Sequence, residues 1–345
     1  MLRVGIIGCG SITQFRHAPE FSENENAQIA GFFDQNLERA EKFAKQYNAK
    51  AYKSVEEMLK DETINAVSIC TPNHTHASLC AMAIKANKNI LCEKPMVTNM
   101  KDAQYLKELY DSSNVKFVVG HNQRFLKVHQ LAKKLIEEKY LGKVLSYKTT
   151  FGHGGPESWG VDKSRATWFF KKEYSVYGAL GDLGVHKIDL MRYILGTEFE
   201  EVFAVGSVLD KKDELNKPIE VEDNFIVTAK MKDGSIGTGH FSWTYYGSED
   251  NSTIIYCEDG IIYLFDDEDC TLVVEHKDGR KECLNHNKIQ TNYNQDASGI
   301  IDHFVDVVEN NVIAIAGFED GYNSINIVDK IYASMNEKRS VVVDE

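Results

Sequence analysis

The chain is short of positive charge. Its 39 Lys and Arg are outnumbered by 52 Asp and Glu, leaving a net charge of -13. Binding to nucleic acid needs a basic face to neutralise phosphate, and no Lys/Arg cluster of that kind stands out, so no nucleic-acid partner is expected. Proline is scarce, 5 in 345 residues, and no low-complexity run or internal repeat occurs. Long hydrophobic runs are missing as well. No stretch approaches the roughly 20 apolar residues of a membrane span, and the opening MLRVGIIGCG is too short in apolar residues for a signal peptide. No membrane partner is expected, and the cytoplasm is the expected location. The 7 cysteines include no CxxC pair, and Cys70 and Cys92 lie in apolar runs. All are read as small buried hydrophobes of a reducing compartment. His74-x-His76 lacks a neighbouring cysteine or carboxylate, so no metal is expected.

What is present is a globular composition, 43% hydrophobic and 26% charged, long enough for about two domains. The first 120 residues alternate two patterns. Val4–Ile7, Ala27–Phe33, Asn65–Cys70, Asn89–Cys92 and Phe117–Val119 are short, near-continuous apolar runs. Between them Ala40, Phe43, Ala44 and Tyr47, then Ala77, Cys80, Ala81 and Ile84, fall at helical spacing. Ser54 and Glu57 form a capping box, and Asn99 with Asp102 marks another helix start. Apolar strands joined by amphipathic helices predict a parallel sheet covered on both faces, an α/β doubly wound domain. Past residue 120 the pattern changes. A helix over 128–136, a strand over 144–151 and a helix over 178–195 precede alternating strand-like runs from 202 to 274 with Asp-Gly turns. Two helices close the chain. The expected organisation is a dinucleotide-binding domain over 1–120 and an α+β domain with a large, mostly antiparallel sheet over 121–345.

Gly8-Cys9-Gly10-Ser11-Ile12-Thr13 lies between the first strand and a helix, the context of the dinucleotide fingerprint, with Thr13 where the third glycine usually stands. Gly8 permits the tight turn and Gly10 lets backbone approach a pyrophosphate resting on the helix N-terminus. Ser11 and Ile12 complete the cradle. Asp34 ends the second strand, 26 residues after Gly8. A carboxylate there accepts ribose hydroxyls and repels a 2′-phosphate, so NAD is favoured over NADP.

The segments GIIGCGSI, CTPNHTHA, ILCEKPM, GHNQRF and GALGDLGVHKIDL, in that order from residue 4 to about 195, resemble the glucose–fructose oxidoreductase/inositol dehydrogenase (Gfo/Idh/MocA) family of sugar and polyol dehydrogenases. The resemblance implies that Lys94 sits beside the nicotinamide and the substrate hydroxyl, in a turn set by Glu93 and Pro95 whose Lys–Pro peptide is often cis. Desolvation there would disfavour the ammonium. It implies that Thr71, Pro72, Asn73 and His76 line the cofactor, and that Asn122 and Arg124 lie near the nicotinamide.

Asp182 and His186 are four apart, so on a helix they share a face. Oxidising a carbinol requires loss of a hydroxyl proton, and an imidazole can take it while a carboxylate orients the ring. Glycines at 178, 181 and 184 would weaken an ordinary helix unless something approaches closely. His153, in a glycine-rich stretch, and Trp168 are the weaker candidates for substrate contact. The expected function is NAD-dependent hydride transfer at a ring carbinol of a sugar, cyclic polyol or sugar derivative, with Lys94, Asp182 and His186 catalytic. The alternatives are aldehyde, enone or imine reduction, redox-cycled glycosidic cleavage, or a dinucleotide-binding regulator without turnover. A homodimer or homotetramer is expected through the outer face of the second sheet.

Overall fold

The computed structural model describes residues 1–160, 163–285 and 297–344. They divide into two units: 1–122 with 159–160 and 297–325, and 123–158 with 163–285 and 326–344.

The first unit is built on six parallel strands: β1 (Leu2–Ile7), β2 (Ala27–Phe33), β3 (Lys50–Ala51), β4 (Ala66–Ile69), β5 (Asn89–Cys92) and β6 (Phe117–Val119). Their order is β3-β2-β1-β4-β5-β6, so the chain reverses direction of winding between β1 and β4. In open α/β sheets ligands bind at that switch point, beyond the C-terminal ends of the strands. Gly8 and Cys70 follow those two strands. The helices form for local reasons legible in the sequence. Asn36 caps Leu37–Gln46 by accepting from the Arg39 amide, and the face that helix buries is Ala40, Phe43 and Ala44. The Ser54 side chain accepts from the Glu57 amide at 3.1 Å, while Glu57 reaches back to the Lys53 amide at 3.2 Å. Asn99 accepts from the Asp102 amide at 2.8 Å and starts Met100–Asp111. The late helix Ile300–Glu309 returns to this unit, where Phe304 meets Phe21 edge to face at 6.4 Å.

The second unit holds nine strands: β7 (Val144–Gly152), β8 (Phe199–Ser207), β9 (Asn224–Met231), β10 (Ile236–Ser242), β11 (Thr253–Cys257), β12 (Gly260–Leu264), β13 (Leu272–His276), β14 (Lys281–Leu284) and β15 (Val341–Val342). Neighbours pair antiparallel except β7 and β10, which run parallel in the middle of the sheet. On one face Val227, Ala229 and Phe241 meet Ile188, Met191 and Ile331 of the covering helices around a small internal cavity. The opposite face leaves Leu145, Phe203, Val205, Ile226 and Ile236 exposed.

Two expectations change. Cys270 and Cys283 are joined in a disulfide, because the β13–β14 hairpin brings the two ends of its arms together, with Cα atoms 5.7 Å apart. The other five cysteines are free and buried. The helix expected over 178–195 begins late. Gly178 is left-handed, with φ +52°, and a Cβ on it would lie 2.2 Å from the Glu222 carbonyl oxygen. A π-helical turn, Leu180–Gly184, then leads into the α-helix Val185–Leu195. Among the described residues no helix is long and apolar enough to cross a membrane.

Candidate active site

In the first unit the cradle is shaped by two glycines, each for a different reason. Gly8 has φ +96°, and a Cβ there would sit 2.5 Å from the Cys70 carbonyl oxygen. Gly10 has open space where a side chain would be, with nothing within 4 Å, as a backbone meant for close approach requires. Thr13, in the slot of the third glycine, is buried and donates its hydroxyl to the Gly8 carbonyl at 2.6 Å. It sits at the head of a π-helical turn, Thr13–His17, instead of a regular first α turn. Ser11 Oγ donates to the Trp159 carbonyl at 3.4 Å, and Ile12 is half-buried beside it. The Asp34 carboxylate accepts from the Cys9 amide through one oxygen and the Asn36 amide through the other, both at 2.8 Å. It is thereby fixed at the strand end, and each oxygen keeps a lone pair for a ribose hydroxyl. Open backbone at Gly10 and a held carboxylate at Asp34 fit an NAD dinucleotide.

Thr71 and Pro72 are half-buried, and Asn73 is buried, in the turn after β4. His76 is fully buried, its two ring nitrogens 2.8 Å from the Pro95 and Thr71 carbonyl oxygens. Burial holds its pKa below the ordinary value. The neutral ring has one N–H and so serves one carbonyl at a time, linking the Thr71 loop to the lysine turn. The Lys94–Pro95 peptide is cis. Lys94 is half-buried, and its amide donates to the Glu93 carboxylate at 3.1 Å. Glu93 is buried, with its other oxygen 2.8 Å from His17 Nε2 and 3.5 Å from Arg16 Nη1. Burial opposes its charge, but His17, then Arg16 and Lys94, hold its carboxyl down at about 2. Asn122 is buried just past β6.

In the second unit Asp182 is buried in the π-helical turn and accepts from the indole N–H of Trp243 at 3.0 Å. His186 is half-buried on the next turn, its ring 5.7 Å from that of Phe151. Phe151 also meets the ring of His153 at 6.0 Å. His153 Nδ1 accepts from the Gly155 amide at 3.0 Å, so the neutral ring carries its proton on Nε2. Trp168 stacks on Phe169 at 3.8 Å, and Phe169 stands edge-on to Trp243 at 6.3 Å. Phe151 thus lies beside both His186 and His153, and Trp243 meets both Asp182 and Phe169, on which Trp168 stacks. Arg124 is placed differently. Both members of its guanidinium fork donate to Asp189 at 2.7 Å, and the pair is buried. The helix glycines are explained by close approach within the protein. A Cβ on Gly184 would meet Phe241 at 2.9 Å, and one on Gly181 would meet Tyr177 at 3.0 Å.

Arg16, His17, Ser68, Phe151, Trp243 and Lys187 were not singled out by sequence. Lys187 is fully buried; its ammonium donates to the Asn251 carbonyl at 2.8 Å and the Thr253 hydroxyl at 3.2 Å, and burial lowers its pKa to about 7. For His17 a local signal existed, a histidine facing inward on the helix after the cradle. For Trp243 there was none. Among the described residues no group of three or more His, Cys, Asp or Glu is placed to hold a metal ion.

A parallel sheet with a glycine cradle at its switch point, followed by an α+β unit with a large mixed sheet, defines a two-domain dinucleotide-binding protein. Residues 2–121 match the model of an oxidoreductase family with an NAD-binding Rossmann fold, and residues 129–263 match the Gfo/Idh/MocA C-terminal domain. The chain belongs to the Gfo/Idh/MocA oxidoreductase family. It is 30% identical to glucose-6-phosphate 3-dehydrogenase of Bacillus subtilis over 67% of its own length, a match spanning 65% of that relative, just under two thirds. It is 27% identical to myo-inositol 2-dehydrogenase of Thermotoga maritima over 100% of this chain and 99% of that one. Among solved structures, levoglucosan dehydrogenase in complex with NADH and levoglucosan superposes with a TM-score of 0.86 at 25% identity, over 100% of both chains.

Proposed function

We propose that the chain is an NAD-dependent dehydrogenase of a cyclic polyol, sugar or sugar derivative. The observation that carries this reading is the pairing of a held Asp34 and an open Gly10 cradle with a half-buried His186 one turn from a buried, hydrogen-bonded Asp182. Relatives named for glucose 6-phosphate, myo-inositol and levoglucosan support a ring carbinol as the reacting group.

When bound, NAD supplies the hydride acceptor. His186 is the base that takes the proton of the reacting hydroxyl, and Lys94 is the polarising or proton-relay group. Asp182, fixed by the Trp243 indole, orients the imidazole or accepts from a neighbouring substrate hydroxyl. His153 and Trp168 are the weaker candidates for contact with the substrate ring. Gly8, Gly10, Ser11, Ile12, Asp34, Thr71, Pro72, Asn73, His76, Glu93 and Asn122 form or support the cofactor cradle. Arg124, paired with Asp189, is the remaining candidate of the segment near the nicotinamide.

The test is incubation of the purified protein with NAD and a panel of cyclic polyols and sugars, read by NADH absorbance. Turnover with at least one member is expected, and His186→Ala should lower kcat by about 10²–10⁴-fold while the protein stays folded. Tight NAD binding with no NADH from any panel member would favour a non-catalytic dinucleotide-binding role.

A further inference from the structure

We propose that His17 is a positioning residue that, through the Glu93 carboxylate, holds the backbone of Lys94 in place. The proposal rests on the role given to Lys94 above. His17 lies in the π-helical turn after the cradle and is fully buried. Its Nδ1 is 2.7 Å from Ser68 Oγ on β4, and its Nε2 is 2.8 Å from Glu93 Oε1 at the end of β5. The second Glu93 oxygen accepts the Lys94 amide at 3.1 Å. One imidazole therefore joins three segments: the cradle helix, β4 and the lysine turn. Ser68, with Cys70 Sγ 3.6 Å beyond it, closes the chain of contacts on the far side.

A serine, a histidine and a carboxylate in line would suggest a nucleophile in an open site. Here Ser68 and His17 are wholly inaccessible, so no substrate reaches the hydroxyl. What the line leads to is the Lys94 amide. The carboxylate also has no freedom to settle elsewhere. A Cβ on Gly120 would stand 2.8 Å from Glu93 Oε2, so the glycine exists to let that oxygen lie against the backbone. Arg16 at 3.5 Å from Oε1 is the other cation on the carboxylate, too long for a full hydrogen bond. Without His17, Glu93 would keep the Lys94 amide and the charges of Arg16 and Lys94 but lose its shortest charged contact, in a buried setting where an undercompensated carboxylate shifts to find new partners. The charged and titratable groups facing this pair are Arg16, Cys70, His76, Cys92 and Lys94.

The experiment compares His17→Gln, whose amide nitrogen falls where Nε2 was, with His17→Asn, whose amide falls where Nδ1 was, and adds Gly120→Ala. Amide hydrogen exchange at Lys94 is followed by NMR, with Ile90, whose amide donates within the sheet to Lys116, as the internal control. His17→Asn and Gly120→Ala should speed exchange at Lys94 by about tenfold or more with Ile90 unchanged, and His17→Gln should leave both nearly as in the parent. With a turned-over substrate, kcat should fall by about 10²-fold in His17→Asn, as for a misplaced catalytic group, with NAD affinity held. Unchanged exchange at Lys94, acceleration equal at Ile90, or equal damage from Gln and Asn would each overturn the proposal. A parent protein that turns over nothing would count against the dehydrogenase reading alone, since the exchange measurement still decides whether His17 holds Lys94.

Discussion

Asp34 offers the sharpest test of the cofactor site, because its geometry is local and its effect is electrostatic. The carboxylate is pinned by the amides of Cys9 and Asn36, each at 2.8 Å, and is half-buried. It cannot swing away from whatever occupies the ribose position. A 2′-phosphate charge about 4 Å from it would be repelled by roughly 4 kcal/mol at an effective dielectric constant near 20. Solvent and salt at this half-open position reduce that to about 2 kcal/mol, or about 30-fold in affinity. Arg39 is half-buried on the following helix. The parent should therefore bind NAD at least about 30-fold more tightly than NADP, and the gap should narrow as salt is raised. Asp34→Asn keeps an acceptor for one of the two amides while removing the charge, so the cradle survives. In that variant NAD should bind more weakly and NADP more tightly. Calorimetric titration of both nucleotides, at low and high salt, measures all of this. Equal affinities in the parent would refute the ribose assignment. A fall of both nucleotides by one common factor in Asp34→Asn would mean that the carboxylate props up the loop without reading the ribose.

Lys94→Ala should leave NAD affinity within a few-fold of the parent and remove most turnover; affinity falling in step with rate would make Lys94 a cofactor-binding group only. The bare outer face of the second sheet, with Val205 59% and Ile226 54% exposed, should pair with another copy as a homodimer or within a homotetramer, and Ile226→Lys should shift the mass towards the monomer. Light scattering that finds only monomer at micromolar concentration would contradict this. The His17–Glu93 pair should also give stability a distinctive pH dependence. Burial works against the imidazolium, but the Cys70 sulfur and the Glu93 carboxylate outweigh it and raise His17 from its ordinary 6.5 to about 10. That contribution is complete below pH 6.5 and is lost as pH rises through about 10. Glu93, lowered from 4.5 to about 2, contributes above pH 4.5 and is lost as pH falls through about 2. The melting temperature of the parent should thus exceed that of His17→Asn most between about pH 4.5 and 6.5, and the difference should shrink towards pH 10. A difference that stays constant across that range would show that His17 is held neutral.

Much of the first unit was legible because its signals are local. The Gly8–Thr13 cradle, Asp34, the Ser54 and Asn99 caps and the apolar strands each depend on neighbours within a few residues, and each is where its pattern places it. The large second sheet was legible as a class from its alternation, but not its parallel β7–β10 pair, because alternation is the same in either direction. The Cys270–Cys283 bond depends on the register of a hairpin that the cysteine spacing alone does not specify.

Of the candidate site only the groups proposed to react stood out in the sequence, and the reason is sequence distance. Lys94, Asp182 and His186 stand out as residue types in odd places. What fixes two of them comes from afar: His17 is 76 residues from Glu93, and Trp243 is 61 from Asp182. Both long-range ties end on π-helical turns, Thr13–His17 and Leu180–Gly184. A π turn inserts one extra residue into the winding, which re-aims the side chains after it at some loss of helical regularity. Thr13, where a glycine was expected, and the run of glycines up to Gly184 are the marks left in the sequence. The first stands where the third glycine of the cradle usually does, and the second signals a close approach. In the first the threonine hydroxyl closes on the Gly8 carbonyl in the turn that carries His17 to Glu93. In the second the glycines admit Phe241 and the Glu222 backbone against the turn that brings Asp182 to Trp243. The irregular residues at both places thus accommodate the protein's own packing around a buried carboxylate, and that packing is what sets each carboxylate one step from the group proposed to do the chemistry.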